Sequence, residues 1–155
     1  MPKRSKEDTE ITIQTIMDAV ADQLIRLGYD KMSYTTLSEQ TGISRTGISH
    51  HFPKKTDFIG ALDGRIFDKF VTHLELESGI EAFSDSWLKS LSNDEFIAIL
   101  RILFHHISCS EGSDAFAKKG TERLYELVTQ RYGEDKHKEL EWLMGKAICS
   151  MGLAS

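Results

Sequence analysis

The chain is poor in the residues that break helices or staple loops. Its 155 residues include only 2 prolines and 2 cysteines. With so few prolines and long apolar-periodic runs between them, little interrupts a helical backbone, and the sequence reads as an all-α protein. Cys109 and Cys149 make no disulfide framework. Both fall in helical runs and are expected to be buried, inert thiols, which fits a reducing, cytoplasmic setting. No run of about 18 apolar residues exists, so no membrane span is expected. The opening MPKRSKEDTE has basic residues but no apolar stretch after them, unlike a secretory signal. Catalytic constellations are also missing: there is no Gly-rich phosphate loop, no GxSxG-type nucleophile turn and no HExxH. Neither an enzyme nor a cofactor is expected. His105 and Cys109, four apart on one helix, are too few for a metal site, which takes three or four ligands.

What is present is a chain that can fold. With 40% hydrophobic residues it can bury a core, as one unit or two small ones. Its net charge of -5 is unevenly spread. Residues 1 to 58 hold eight Lys/Arg against eight Asp/Glu, and residues 40 to 56 have three basic residues, two histidines and no acid. One modest basic face on an acidic chain is the footprint of local, not global, phosphate binding.

That face coincides with the most organised stretch, SYTTLSEQTGISRTGISHHFPKK, from Ser33 to Lys55. Ser33 can cap a helix that opens Tyr34-Thr35-Thr36. Thr41-Gly42-Ile43-Ser44 ends that helix and caps the next, since Gly42 tolerates a left-handed turn and Ser44 offers a cap oxygen. A second helix, Arg45 to His51, carries Arg45, Thr46, Ser49 and His50 outward, while Ile48 and Phe52 point inward. Leu37, Ile43, Ile48 and Phe52 supply the small core. This is the pattern of a helix-turn-helix, whose second helix enters the DNA major groove.

Residues 9 to 62 resemble the DNA-binding domain of the TetR family of bacterial transcriptional regulators. The resemblance rests on Ile16-Met17-Asp18-Ala19-Val20, Leu24, Gly28-Tyr29, Leu37, Thr41-Gly42-Ile43-Ser44-Arg45, Ile48, His51-Phe52-Pro53 and Lys55, in order and without gaps. The small size is similar to the LuxT type. The resemblance implies a three-helix DNA-binding domain at 9–62, with its helix-turn-helix at about 33–52. A long helix would link it to a helical regulatory and dimerisation domain at 63–155. It further implies a homodimeric repressor on a near-palindromic operator in double-stranded DNA, with a small-molecule effector as a further possible partner. The expected DNA contacts are Thr35, Thr36, Ser44, Arg45, Thr46, Gly47, Ser49, His50, His51 and Lys55. Of these, Thr35, Ser44, His51 and Lys55 would hold phosphates and Arg45, Thr46, Ser49 and His50 would face base edges. Gly47 would let the backbone approach DNA closely. Two departures stand out: Ser49 occupies a position where the family commonly has a phosphate-bracing tyrosine, and Met32-Ser33 replaces the usual threonine pair. The acidic total charge leaves a second reading, a helical protein-interaction module without specific DNA binding.

Elsewhere the pattern is coarser. Ile13, Ile16, Met17, Val20, Leu24 and Leu27 form an amphipathic stripe from about Thr9 to Leu27. Lys3, Arg4 and Lys6 ahead of it could form a flexible arm or a solvated tail. Phe58, Leu62, Ile66, Phe70 and Leu74 predict a helix from near Lys54 to about Glu77, a rod able to pass a tilt from one half to the other. Ile80, Phe83, Trp87 and Leu91 give a short helix. An almost wholly apolar one follows from Glu95 to Cys109, capped by Asn93 or Asp94. The next runs from about Ser113 to Tyr132, with Gly120 as a possible break. Trp87, Ile99, Leu103 and His106 are the candidate ligand-pocket residues, although for His106 a core histidine bonded to a backbone carbonyl is the favoured reading. The last helix, about Asp135 to Leu153, carries Leu140, Leu143, Met144, Ala147, Ile148 and Met151 on one stripe. Trp142, Gly145, Cys149 and Gly152 lie on the opposite side. Two such faces predict burial on both, the outer one as a dimer interface.

Overall fold

A computed structural model describes residues 5–109 and 114–154. Among these residues are eight α-helices, one 3-10 turn and no strand. The helices are α1 (Lys6–Arg26), α2 (Tyr34–Thr41), α3 (Arg45–His51), α4 (Lys55–Val71), α5 (Ile80–Ser90), α6 (Asp94–Ser108), α7 (Asp114–Tyr132) and α8 (His137–Leu153), with the 3-10 turn at Glu134–Lys136. The chain divides into two compact units, Met1–Asp63 and Gly64–Ser155. No helix is long and apolar enough to cross a membrane among the described residues. The expected arm residues Lys3 and Arg4 lie outside the described residues, as does Ser113; Lys6 opens α1 and is exposed.

In the first unit α1 starts on the cap of Ser5, whose hydroxyl accepts the Asp8 N–H at 3.1 Å. Its stripe of Ile16, Val20 and Leu24 is fully buried, together with Met32, Leu37 and Ile48. Phe52 and Phe58 close the core with ring centroids 5.0 Å apart. Ile43, expected in that core, is only half-buried because it sits in the turn itself.

The second unit is built on an aromatic cluster. Phe70 stacks on Phe96 at 4.6 Å, and Trp87 meets both edge-on, at 5.5 and 5.3 Å. Asn93 caps α6 by accepting the Phe96 N–H at 3.0 Å, and α6 buries Ile99, Leu100, Ile102 and Leu103. Gly120 does not break α7. It lets the helix approach α6 so closely that a Cβ there would lie 2.9 Å from a Leu103 methyl. The helix expected to reach Glu77 instead stops at Val71. Leu74 turns inward to 8% exposure, and the Glu75 N–H is taken by the Ser86 hydroxyl at 2.9 Å. Tyr132 at the end of α7 donates to the Glu75 and Leu76 carbonyls, and Arg131 pairs with Glu77 at 2.9 Å. Side chains of α5 and α7 thus take the polar groups that a longer α4 would have used.

On α8, Leu140, Leu143 and Ala147 are buried, but Ile148, placed on the same stripe from sequence, is 54% exposed. The helix turns about 100° per residue, so a position eight beyond Leu140 has drifted off the narrow buried line. The cysteines also differ from expectation. Cys149 is exposed on the outer side of α8, and Cys109 is half-buried just beyond α6.

His106 is 2% exposed, and its Nδ1 meets the Ile102 carbonyl at 2.8 Å, a bond that requires the proton on Nδ1. Burial lowers its pKa from the ordinary histidine value; the Ile102 bond opposes this and neighbouring His105 adds to it. The unfolded chain therefore binds this proton at higher pH than the folded one. Stability should fall as pH drops below about 6.5, by at most about 1.4 kcal/mol per pH unit from this group, and level off below the lowered folded-state pKa. Other groups titrate in the same range, so His106→Gln serves as the reference. Melting measured from pH 8 to pH 4.5 should lose part of its acid slope in the variant. Identical slopes would show that His106 takes no part.

Candidate nucleic-acid interface

Three caps shape the surface around α2 and α3. Ser33 and Thr36 form a reciprocal box: the Ser33 hydroxyl accepts the Thr36 N–H at 3.1 Å, and the Thr36 hydroxyl accepts the Ser33 N–H at 2.9 Å. Gly42 ends α2 with φ 74°, a left-handed conformation costly for residues with a Cβ, and its N–H reaches the Ser38 carbonyl at 2.9 Å. Thr41 accepts the Ile43 N–H at 3.1 Å while donating to the Leu37 carbonyl. Ser44 then caps α3 through the Gly47 N–H at 3.0 Å. The turn is held by its own side chains.

On the buried side of α3, Ile48 is fully covered and Phe52 is 7% exposed. On the other side Arg45, Thr46 and His50 are exposed, beside an exposed Ser44 and Thr35. Arg45 makes no hydrogen bond or ion pair among the described residues, so its guanidinium donors are available to a ligand. Ser49 and His51 are half-buried. The Ser49 hydroxyl donates back to the Thr46 carbonyl at 3.1 Å, and the His50 and His51 rings meet edge-on at 5.2 Å. Lys55 lays its ammonium over the Tyr29 ring, 4.4 Å from the centroid. Burial lowers the Lys55 pKa, against the pull of Asp30. No Asp or Glu occurs from residue 40 to 56, so nothing in this stretch opposes an incoming phosphate.

Two expected contacts serve the fold. The Thr36 hydroxyl is turned inward, donating to Gln23 Oε1 at 2.7 Å. A Cβ on Gly47 would lie 3.1 Å from both the Ile43 side chain and the Ser44 hydroxyl, so the turn that caps α3 itself calls for a small residue there. Two residues that sequence reasoning passed over also belong here. Gln23 is 2% exposed on α1, bonded to α2, and Tyr34 donates its hydroxyl to the Phe52 carbonyl at 2.6 Å. Burial, and then Asp57, raise the Tyr34 pKa, which keeps this phenol a donor. Gln23 had a signal: it falls on the apolar stripe seven residues after Ile16, where a polar side chain needs a buried partner.

In the second unit the four candidate pocket residues are all buried, but in different surroundings. Trp87 belongs to the aromatic cluster and Leu103 packs against Gly120. His106 borders a shallow, mainly apolar groove of about 450 Å³ with Ile107, Ala117, Thr121 and Tyr125. A more polar hollow of about 540 Å³ lies among Thr72, His73, Ser86, Lys89 and Asn93. No group of three His, Cys, Asp or Glu side chains suited to a metal assembles among the described residues. Trp142, Gly145, Cys149 and Gly152 all lie on the exposed side of α8, with Trp142 54% and Leu153 86% exposed.

Comparison with known proteins bears on the second unit. A search of curated proteins finds no match. Residues 63–151 match the family model described as the tetracycline repressor LuxT C-terminal domain. That match spans more than half of the chain, in a protein whose described residues are helical without strands and whose first unit carries a capped helix pair. The chain belongs to the tetracycline-repressor family of regulators, and within it to the LuxT type.

Proposed function

We propose that this regulator is a sequence-specific, homodimeric repressor that acts in the cytoplasm on a near-palindromic operator in double-stranded DNA. The observation that carries the reading is the exposed side of α3. Arg45, Thr46 and His50 face solvent from a helix whose other side is buried and whose start is capped by its own chain. Such a helix presents a fixed array to the major groove. Ser44, His51, Lys55 and Thr35 flank it as phosphate contacts, which set position without reading sequence. Arg45 is the base reader, since its fork matches the two acceptors of guanine. Half-sites should lie about 34–36 Å apart, or a multiple of that.

The outer side of α8, with Trp142, Gly145, Cys149 and Gly152, supplies the dimer interface. A small-molecule effector bound in the second unit would weaken DNA binding, and by linkage operator DNA would weaken effector binding by the same factor. The test is selection of bound fragments from random DNA by the full chain. Recovered sequences should share an inverted repeat. Recovery of no common sequence would instead favour a protein-interaction module.

A further inference from the structure

The first turn of α2 is gripped from two directions. From α1, Gln23 donates through Nε2 to the Thr36 carbonyl at 3.0 Å and to Gln40 Oε1 at 2.8 Å, and accepts the Thr36 hydroxyl at 2.7 Å. Gln40 in turn donates to Asp22 at 3.2 Å and accepts from Arg26 at 3.1 Å. From the other direction, the Tyr34 hydroxyl donates to the carbonyl of Phe52, the residue that ends α3. The Tyr34 ring rests on Phe58 at 5.4 Å. We infer that Gln23 and Tyr34 are positioning residues, which through the first turn of α2 fix the reading helix α3 in register against α1.

First, α3 has 7 residues. A helix that short is not stable by itself, so its direction is set by what holds its ends. Its last carbonyls have no partner within the helix, and Tyr34 takes one of them. Second, the grip of Gln23 is directional. It holds both the carbonyl and the hydroxyl of one residue, so sliding α2 by one position loses both bonds, whereas the apolar contacts of Leu37 would tolerate a shift. Third, a buried, fully bonded amide adds only modest net stability, and the best-attested use of such a group is to select one packing among several. This inference rests on the DNA-binding reading above.

The experiment compares Gln23→Leu, Tyr34→Phe and the double variant with wild type, all as full chains. The readouts are melting temperature, affinity for the selected operator, affinity for random DNA at the same salt, and salt dependence. Gln23→Leu strips the Thr36 carbonyl and hydroxyl of their bonds from α1, so it should fold with a melting temperature somewhat below wild type, and selectivity is the readout that decides. Operator affinity should fall about tenfold in each single variant, the effect of one misplaced base contact. Random-DNA affinity and the salt slope should stay unchanged, because phosphate contacts tolerate small displacements. A purely structural role would lower the melting temperature and leave the selectivity of the folded protein intact. Folded variants with wild-type selectivity overturn the inference. If Gln23→Leu does not fold, Tyr34→Phe, which keeps its ring on Phe58, decides alone. A wild type that prefers no sequence removes the DNA reading and this inference together.

Discussion

Replacing Arg45 by alanine should cost the protein about 10- to 100-fold of its preference for operator over random DNA, the contribution of a bidentate arginine–guanine contact. The side chain is exposed and makes no hydrogen bond or ion pair among the described residues, so its loss leaves the fold alone. Exposed substitutions of that kind usually change stability by less than about 0.5 kcal/mol. The size of the effect follows from how little else reads sequence: beside Arg45 stand Thr46, Ser49 and His50, and the Ser49 hydroxyl is already bonded to the Thr46 carbonyl. Competition binding at fixed salt separates two roles. A base-reading Arg45 loses selectivity with little change on random DNA. An Arg45 on phosphate weakens both equally and reduces the salt slope by about one.

Trp142→Glu should have the larger effect on total affinity. Trp142 is 54% exposed on the side of α8 that also carries Cys149, Gly145 and Gly152, with Ile148 equally exposed and the Lys146 ammonium 5.8 Å from its ring centroid. A large aromatic beside small residues is the make-up of an interface anchor, and a carboxylate in its place would lose that packing and carry a charge into the seam, which a pair with Lys146 one turn on offsets only in part. The variant should run as a monomer of 17.6 kDa where wild type runs at twice that mass. Two heads on one dimer bind at a high effective concentration, so operator affinity should drop by about 10²–10⁴. Persistence of the dimer in Trp142→Glu, or a wild-type monomer at micromolar concentration, would contradict the assigned interface.

The helix pair was legible because its determinants are local. Ser33, Gly42 and Ser44 act on backbone groups within four residues, so sequence spacing reveals them, and all three cap as expected. A backbone-carbonyl partner for His106 was legible for the same reason, and the structure supplies it one helical turn back, at Ile102. What escaped depends on distant partners. The end of α4 is set by Ser86, Arg131 and Tyr132, while Phe70 and Leu74 keep a helical spacing through the break. Tyr34 looked like an ordinary first-turn residue because its partner lies eighteen positions on. The exposure of Cys149 and Ile148 turned on the angular width of the buried stripe of α8, which spacing alone does not give. Gln23 was visible as an anomaly on its stripe but not as a bond to Thr36.

Reading of DNA by α3 is tested most directly by a salt titration of wild-type binding to selected and random fragments. Both affinities should fall linearly on a log–log plot, with a slope of about −0.9 per phosphate neutralised. The selected fragment should stay well above random at every salt concentration, since base contacts add to the phosphate term. Equal affinity for selected and random fragments, even at low salt, would contradict it.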